Sequence, residues 1–512
     1  MQTSRTANSL RNMAFGLGSQ ALSILIGFVT RWVFIVLLGK EYLGVSGLFS
    51  NILSLLSLAN LGFSSAIIYS LYKPLADKDM VSVKGYMDIY RKIYAIVGVV
   101  IFLIGCALMP FLPHLISGEV SIRENLYLIY FLFLLESSVS YFFSYKQALL
   151  TASQQNSVIS AQHMIWMLIR NLAEIIVLYI THAYIPVLIA IVICQILENA
   201  WIARVADRYF PVLKDDTVKG SINSAQKASL WDNVKALLLY KISGTVISST
   251  DNILIAKFKG LVSVGLYSNY AYIVDVIRTV LSYVFNSLTA SVGNYHATES
   301  REANEKLFYN LFFASFWFYG FCAVCLGILI NPFISLWLGK DYLLDTFTVI
   351  IIIINFYTAG VQYPSTTYRE VAGLFAVGRY RPLIAAILNL LISIVLANHL
   401  GIAGIILGTI ISRICVYFWY DPYIIHKTMF ECNLRHYFFT YFKYFSATAI
   451  AGVLCYLLCQ LLPLDSAFLH FAFSMTICAS IPNILFFLLF RKCPEFQILK
   501  SYTLKLLRTR KL

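Results

Sequence analysis

Runs of about 20 apolar residues recur along the whole chain, and they constrain its fold more than any other feature. The chain has 512 residues, of which 59% are hydrophobic and 12% are charged, and its mean hydropathy is +0.74. Soluble globular proteins carry about 25% charged residues, so this composition excludes a soluble fold. Lipid offers the backbone no hydrogen-bond partner, which restricts such runs to helices. We expect an all-α polytopic membrane protein with about 14 transmembrane helices.

The chain carries an internal repeat that is weak in identity but keeps one spacing over several predicted helices. One offset matches residues of the same type in the two copies: Asn12 with Asn233, Gly39 with Gly260, Gly44 with Gly265 and, after one extra residue, Pro110 with Pro332. Two like-oriented membrane halves are typical of transporters whose substrate passes between the repeats. We expect two six-helix lobes related by pseudo-two-fold symmetry, plus two C-terminal helices.

The repeat and the polar stretches predict four regions. Residues 1–206 form an N-terminal six-helix lobe, and residues 207–229 form a polar cytoplasmic linker. Residues 230–426 form the C-terminal six-helix lobe, in which only a short break near Gly401 separates the last two apolar runs. Residues 427–512 supply two additional helices and a basic cytoplasmic tail.

The net charge of +14 indicates topology rather than nucleic-acid binding. Most of the 39 Lys and Arg residues fall in loops on one side of the predicted membrane helices. Because cytoplasmic loops carry the basic excess, this bias predicts an even number of spans with both termini cytoplasmic. The basic loops would then contact anionic lipid headgroups, and we expect no nucleic-acid partner.

Neither a metal site nor a nucleotide-binding loop is expected. Cys322 and Cys325 form a lone C-x-x-C inside an apolar run, without a second pair of ligands. The Gly-Lys pairs at residues 39–40 and 339–340 lack the upstream glycine of a Walker loop. The predicted outer loops are short. We therefore expect no cofactor and no catalytic residue, and a protein that is not an enzyme.

Charged residues interrupt the apolar runs. They are Arg31, Glu136, Arg170, Glu174, Glu198, Lys241, Asp251, Asp275, Arg278 and Arg413. Each charge at the centre of a bilayer costs roughly 2.5–3.5 kcal/mol on an insertion scale, so lipid-facing positions are excluded. These side chains must face one another or a water-filled cavity.

Some of these charges can pair within one helix. Arg170 and Glu174 are four residues apart, and Asp275 and Arg278 are three apart, so each pair shares a helix face. Glu136 and Glu198 have no such local partner, and for both we expect a protonated carboxyl group that is hydrogen-bonded across helices.

Arg31 is the leading candidate for substrate binding. The internal repeat places Thr30-Arg31 opposite Asp251-Asn252, so a cation in one half and an anion in the other lie at nearly the same depth, and a guanidinium group suits a phosphate. The further candidates for an anionic site are Lys241, Arg278, Arg413 and Arg170. The candidates for ion coupling or charge pairing are Asp251, Glu174, Asp275 and Glu136. An alternative for Arg31 is that its side chain only extends to the outer membrane surface.

Several short segments recur in a characteristic order along nearly the whole chain. They are NSLRN (8–12), LGKEYLG (38–44), LGFSSA (61–66), YSLYKPL (69–75), YRKIY (90–94), REVAGLF (369–375), RYRP (379–382) and LGIAG (400–404). Together with Arg31, their order and spacing resemble the bacterial polysaccharide flippases. That family belongs to the exporter superfamily that also contains multidrug (MATE) antiporters and the peptidoglycan lipid flippase.

The resemblance implies a MATE-like fold that works by alternating access in the bacterial cell membrane. The implied substrate is undecaprenyl-pyrophosphate carrying an oligosaccharide repeat unit, moved from the inner to the outer leaflet for cell-surface polysaccharide biosynthesis. Arg31 would lie at a cavity position. Membrane lipids are implied partners. The resemblance leaves open whether the protein contacts the polysaccharide polymerase machinery. It also leaves open whether transport is coupled to H⁺, to Na⁺ or to the membrane potential.

Three alternatives remain on the sequence alone. A MATE-type multidrug cation antiporter would favour acidic cavity groups, whereas the in-span charges here are mixed. An integral-membrane polysaccharide polymerase or glycosyltransferase would need a sizeable outer loop. A peptidoglycan lipid flippase differs from the first hypothesis only in its substrate.

Overall fold

The protein is almost entirely helical throughout the part of the chain that its structure describes. The structure is a computed structural model, and it describes residues 5–57, 60–118, 121–215, 217–218, 220–374, 378, 380–461 and 465–509. No β-strand occurs in these ranges. The α-helices, in chain order, are α1 (Arg5–Leu38), α2 (Lys40–Leu56), α3 (Asn60–Ala76), α4 (Met80–Leu108), α5 (Leu126–Ala152), α6 (Asn156–Thr181), α7 (Tyr184–Tyr209), α8 (Ser224–Thr298), α9 (Arg301–Trp337), α10 (Thr346–Val361), α11 (Tyr363–Val371), α12 (Arg381–Arg413), α13 (Tyr420–Ile425), α14 (Leu434–Gln460), α15 (Ala467–Phe490) and α16 (Pro494–Thr509).

Among the described residues, 11 helical segments are long and apolar enough to cross a membrane. Two of them, Ser249–Thr298 and Arg381–Phe430, are 50 residues long. Fifty helical residues extend about 75 Å, whereas a hydrocarbon core is about 30 Å thick, so each is long enough for two crossings. The second of these segments is broken at Gly401, as the sequence predicts, and the φ angle of Gly401 is 60°. The all-helical, multi-pass membrane fold is confirmed.

Two predicted spans are divided into shorter helices. The apolar run near residues 44–71 comprises most of α2, which ends at Leu56, and of α3, which begins at Asn60. The apolar run near residues 346–368 is divided between Val361, where α10 ends, and Tyr363, where α11 begins. Pro364 occupies the first turn of α11, where its missing N–H group costs no hydrogen bond.

The chain forms two compact units, residues 1–265 and 266–512. In the first unit, α5 packs against α4 and α7, and α6 packs against α7 and α1. Aromatic rings fill its interior. Phe49 on α2 meets the fully buried Tyr130 on α5 edge-on, with ring centroids 5.1 Å apart. Tyr184 at the start of α7 meets Phe34 on α1 in the same way at 5.2 Å.

Two repeat-related glycines interrupt helices of the first unit with the same backbone conformation. Gly39, between α1 and α2, has φ 90° and ψ −178°, and Gly260, inside α8, has φ 79° and ψ 174°. Residues with a side chain rarely adopt such positive φ values, so glycine is required at both breaks. The internal repeat therefore preserves a backbone feature although its sequence identity is weak.

The second unit is held together by stacked aromatic side chains between α9 and α14. The rings of Phe316 and Tyr444 stack with centroids 4.3 Å apart, and those of Phe312 and Tyr437 stack at 4.9 Å. The C-terminal helix α16 also packs on α9, where Phe496 stacks on Trp317 at 5.7 Å. Edge and stacked aromatic pairs add about 0.5–1.5 kcal/mol beyond burial of their area.

A buried cluster of charges joins α11, α12 and α13 of the second unit. Arg381 Nη1 donates a hydrogen bond to Asp421 Oδ1, and Arg369 Nε lies 3.7 Å from the same oxygen. All three side chains are buried. The guanidinium of Arg381 also lies over the ring of Tyr420, 4.3 Å from its centroid. The shared carboxylate thus neutralises part of the charge that two arginines bring into the helix packing.

Candidate polar site of the N-terminal unit

Two adjacent residues fix the starts of α5 and α7 beside each other. The side chain of Asn125 accepts hydrogen bonds from the backbone N–H groups of Tyr127 and Leu128 and so caps α5. The carboxylate of Glu124 accepts from the N–H groups of Tyr184 and Ile185, at 3.0 and 2.9 Å, and so caps α7. Carboxylates stabilise helix N-termini because unpaired N–H groups point at them. Helices α5 and α7 are therefore held in register at this end.

Helix α6 has an apolar and a polar face. Exposed apolar residues three or four positions apart form the first: Ile165, Ile169, Leu172 and Ile176. The second face carries residues at the same spacing: His163, Met167, Arg170 and Glu174. An exposed apolar stripe suits contact with lipid, while the polar stripe is directed elsewhere.

An ion pair links α5 and α6. Arg170 Nη2 donates to Glu136 Oε1 at 2.7 Å, and Arg170 Nη1 donates to Gln195 Oε1 on α7 at 3.3 Å. The hydrogen-bonded ion pair of Arg170 is thus with Glu136 on α5 rather than with Glu174 on its own helix. Side chains of an α-helix lean towards its N-terminus, so Arg170 leans away from Glu174, which lies one turn further on. Glu136, which has no local partner in the sequence, thus has one on the neighbouring helix.

A second polar pair links α6 and α7. The ring nitrogen Nδ1 of His163 lies 3.1 Å from Glu198 Oε1. The imidazole is 74% exposed, whereas the carboxylate of Glu198 is 19% exposed. Gln162 Nε2 donates to the backbone oxygen of Glu198 at 3.0 Å. Helices α6 and α7 are thus joined by polar contacts at the same level.

These contacts surround a cavity of about 540 Å³. Its lining comes from α5, α6 and α7 and includes Gln162, His163, Arg170, Gln195, Glu198 and Asn199. The volume lies in the range of about 300–1,000 Å³ that is typical of small-molecule sites. Charged and amide side chains are expensive to hold within an apolar helix bundle, so a polar cavity there indicates a binding site.

Comparison with solved structures finds this fold in membrane transport proteins. A structure of the lipid II flippase MurJ in an inward closed conformation is 15% identical, with a TM-score of 0.66 over 94% of this chain and 99% of its own. An inward-facing multidrug resistance MATE family transporter of the MOP superfamily is 14% identical, with a TM-score of 0.62 over 79% of this chain and 95% of its own. A mutant of the Vibrio cholerae MATE transporter VcmN is 13% identical, with a TM-score of 0.58 over 84% and 99%.

This chain has the fold of MATE transporters and of the lipid II flippase. The identities are low, and no family profile and no curated protein sequence matches the chain. The fold prediction made from the repeat and the apolar runs is confirmed. The solved structures that share this fold are those of transporters and of a flippase.

Two further candidate site residues from the sequence analysis lie in the first unit. Arg31 is half-buried on α1, and Asp251 is half-buried on α8. Next to Arg31, Thr30 Oγ1 donates to Asn171 Oδ1 on α6 at 2.9 Å. Asn171 follows Arg170 directly, so this hydrogen bond ties the helix that carries Arg31 to the helix that carries Arg170.

Arg278 and Arg413, two further candidate site residues, each have a hydrogen-bond partner elsewhere in the chain. Arg278 Nη1 donates to Asp275 Oδ1 at 2.8 Å within α8, and both side chains are exposed. Arg413 on α12 donates to the backbone oxygen and side chain of Asn355 on α10, at 3.1 and 2.8 Å. The side chain of Lys241 lies outside the described part of the structure.

Sequence reasoning missed several polar residues of the cavity. Gln162, His163, Gln195 and Asn199 are not among the predicted site residues, although all line the cavity. A signal was available, since His163 and Arg170 are seven residues apart and so share a face of α6. The amides carry no charge, and their presence in apolar runs is less conspicuous than that of arginine or glutamate.

Proposed function

We propose that this protein moves undecaprenyl-pyrophosphate-linked oligosaccharide repeat units from the inner to the outer leaflet of the bacterial cell membrane by alternating access. The observation that carries the proposal is the polar cavity among α5, α6 and α7, enclosed by helices with exposed apolar faces. Sugar hydroxyls and a pyrophosphate cannot cross hydrocarbon unaided, because their polar groups would lose water without replacement. A polar cavity supplies that replacement while the isoprenoid tail stays in lipid.

The flippase-like segments support the proposed substrate class. They extend from residues 8–12 to residues 400–404, over most of the chain. The fold similarity to a protein named as a lipid II flippase, which covers 94% of this chain, is compatible with a lipid-linked substrate. We propose Arg31 as the contact for the pyrophosphate, since its planar guanidinium group can donate two parallel hydrogen bonds.

The proposal includes the remaining predicted features. The two lobes are residues 1–206 and 230–426, joined by the linker 207–229 and followed by residues 427–512, with both termini cytoplasmic. Lys241, Arg278 and Arg413 are further candidate anion contacts. Moving two negative charges out of a negative-inside cell releases roughly 4–5 kcal/mol at about 100 mV, so the membrane potential can drive export. Coupling to H⁺ or Na⁺ through Asp251 or a glutamate is the other source of energy.

Leaflet accessibility of the lipid-linked oligosaccharide tests this proposal. Cells that lack the protein should hold the glycolipid on the inner leaflet, out of reach of a membrane-impermeant sugar-labelling reagent. Arg31→Ala at equal protein level should do the same, Arg31→Lys should retain partial transport, and Arg204→Ala, at an exposed position of α7, should behave as wild type. Outer-leaflet labelling that is unchanged without the protein would overturn the proposal.

Drug-cation antiport is the second candidate function. In and near the cavity, α5, α6 and α7 carry three carboxylates, of which Glu198 lines the cavity, Glu136 pairs with Arg170 and Glu174 follows Arg170 by one turn, against Arg170 and His163. An acidic surplus attracts cations, and solved MATE transporters share the fold. Efflux of a fluorescent cationic dye from energised vesicles that contain the purified protein, with no effect on glycolipid labelling in cells, would favour this function.

A further inference from the structure

Two buried amides at the polar cavity each have one unpaired end. Gln162 is 7% exposed, and its Oε1 atom has no hydrogen-bond partner within the described ranges. Asn199 is 6% exposed, and its Nδ2 atom likewise has none there. Both residues line the cavity. Since a buried polar group without a partner costs about 1–3 kcal/mol, these atoms indicate a ligand that supplies the missing bonds.

The unpaired atoms define the chemistry of that ligand. Gln162 Oε1 accepts a hydrogen bond and Asn199 Nδ2 donates one, so the ligand must both donate and accept. A hydroxyl group does both, whereas a metal cation offers nothing to an N–H donor and a phosphate oxygen offers nothing to a carbonyl. The carboxylate of Glu198 at the same cavity can accept from two neighbouring hydroxyl groups. The set fits a polyhydroxylated, uncharged molecule.

Charge and size restrict the ligand further. Glu198 lines the cavity, and the one arginine there, Arg170, is already paired with Glu136 at 2.7 Å. A negatively charged sugar would therefore be repelled by the carboxylate of Glu198, while His163 and Arg170 are already engaged with Glu198 and Glu136. The cavity of about 540 Å³ has room for a small saccharide and falls within the usual range for small ligands, about 300–1,000 Å³.

The depth of the cavity fits a headgroup that arrives from the cytoplasmic side. His163 lies seven residues after the start of α6 at Asn156, which is about 10 Å along the helix axis. The basic loops predict that this end of α6 is cytoplasmic. A sugar carried by a lipid of the inner leaflet would therefore meet the cavity near the beginning of its path.

We propose that Gln162, Asn199 and Glu198 form a binding subsite for a neutral sugar unit of the lipid-linked headgroup. Gln162 Oε1 accepts from one hydroxyl, Asn199 Nδ2 donates to another, and Glu198 accepts from a neighbouring pair. This subsite deepens the proposed flippase function and rests on it. It is separate from Arg31, which is proposed to contact the pyrophosphate, so loss of the subsite should weaken recognition of sugar and leave recognition of the lipid anchor intact.

The test compares two ligands on the full-length protein in lipid nanodiscs. The probes are undecaprenyl pyrophosphate alone and the same lipid carrying a neutral disaccharide, of glucose or of N-acetylglucosamine. The variant is Gln162→Leu with Asn199→Leu, which removes the unpaired polar atoms without introducing charge. The control is Asn398→Leu on α12, where an exposed amide donates only to its own helix, at Ile394.

We expect wild type and Asn398→Leu to bind one of the disaccharide lipids roughly tenfold more tightly than bare lipid, as about 1.4 kcal/mol of hydrogen bonding would give. The double variant should bind all lipids equally, with bare-lipid affinity within about twofold of wild type, which also shows that it is folded. A double variant that keeps the preference for sugar, or a wild type without one, overturns the subsite but not the flippase proposal. Binding of no undecaprenyl lipid by wild type overturns both.

Discussion

Gly44 packs directly against the backbone carbonyl group of Leu261, and a methyl group at position 44 would overlap it. The reciprocal contact is present at the repeat-related positions, because a methyl group on Gly265 would overlap the carbonyl group of Lys40. Each contact joins a glycine in one copy of the repeat to the residue that follows Gly39 or Gly260 in the other copy. The internal repeat is thus also a pair of interlocking backbone contacts in the first unit.

We expect Gly44→Ala to destabilise the protein by about 1–3 kcal/mol, because a backbone contact cannot yield as a side chain can. Titration with a denaturing detergent would measure the change in unfolding free energy. Gly327→Ala on α9 is the matched control, since an added methyl group there would have no neighbouring atom within 4 Å and alanine favours a helix. An equal effect of both substitutions would contradict the close contact.

The Arg170–Glu136 pair should show coupling in a double-mutant cycle. Arg170→Met or Glu136→Gln alone leaves a polar partner facing an apolar bundle, whereas the double variant removes both. We expect the double variant to be more stable than the sum of the single effects predicts, by about 0.5–3 kcal/mol. The same cycle for Arg170 and Glu174 should give a smaller coupling, since the ion pair of Arg170 is with Glu136. Larger coupling to Glu174 would reverse the assignment.

Asp421→Asn should strongly destabilise the second unit. The substitution leaves Arg369 and Arg381 buried without the carboxylate that they share. Removing one partner of a buried ion pair typically costs about 3–5 kcal/mol. Arg301→Gln, which removes an exposed pair with Glu431, should cost less than about 1 kcal/mol. Thermal unfolding of the purified variants separates these outcomes, and a similar melting temperature for both would refute the role of Asp421.

A disulfide between Ser117→Cys and Ala256→Cys should block transport if the contact between these segments opens during alternating access. Ser117 N–H donates to the backbone oxygen of Ala256 at 3.0 Å, so the two backbones lie within reach of a disulfide. We expect oxidation to stop outer-leaflet glycolipid labelling and a reducing agent to restore it. Ser117→Cys alone should be insensitive to oxidation. Full transport by the cross-linked protein would show that this contact stays closed throughout the cycle.

The sequence predicted the elements of the fold and only part of the site. The break at Gly401 follows from local spacing and from the freedom of glycine to adopt positive φ. The partner of Arg170 did not follow, because spacing along one helix pointed to Glu174 while the actual partner, Glu136, is on α5. Spacing identifies residues that share a face, but the direction in which a long side chain leans decides which neighbour it meets.

The sequence by itself determined that this chain is a multi-pass helical membrane protein with an internal repeat and costly charges inside its spans. Hydropathy and glycine positions predict these features because each depends on the residues of one segment and not on its tertiary neighbours. Tertiary structure alone decided that α6 and α7 bring Arg170, Glu198 and the amides of Gln162 and Asn199 around one cavity, and that Glu136 on α5 pairs with Arg170. Those side chains come from three helices, and only helix packing brings them together.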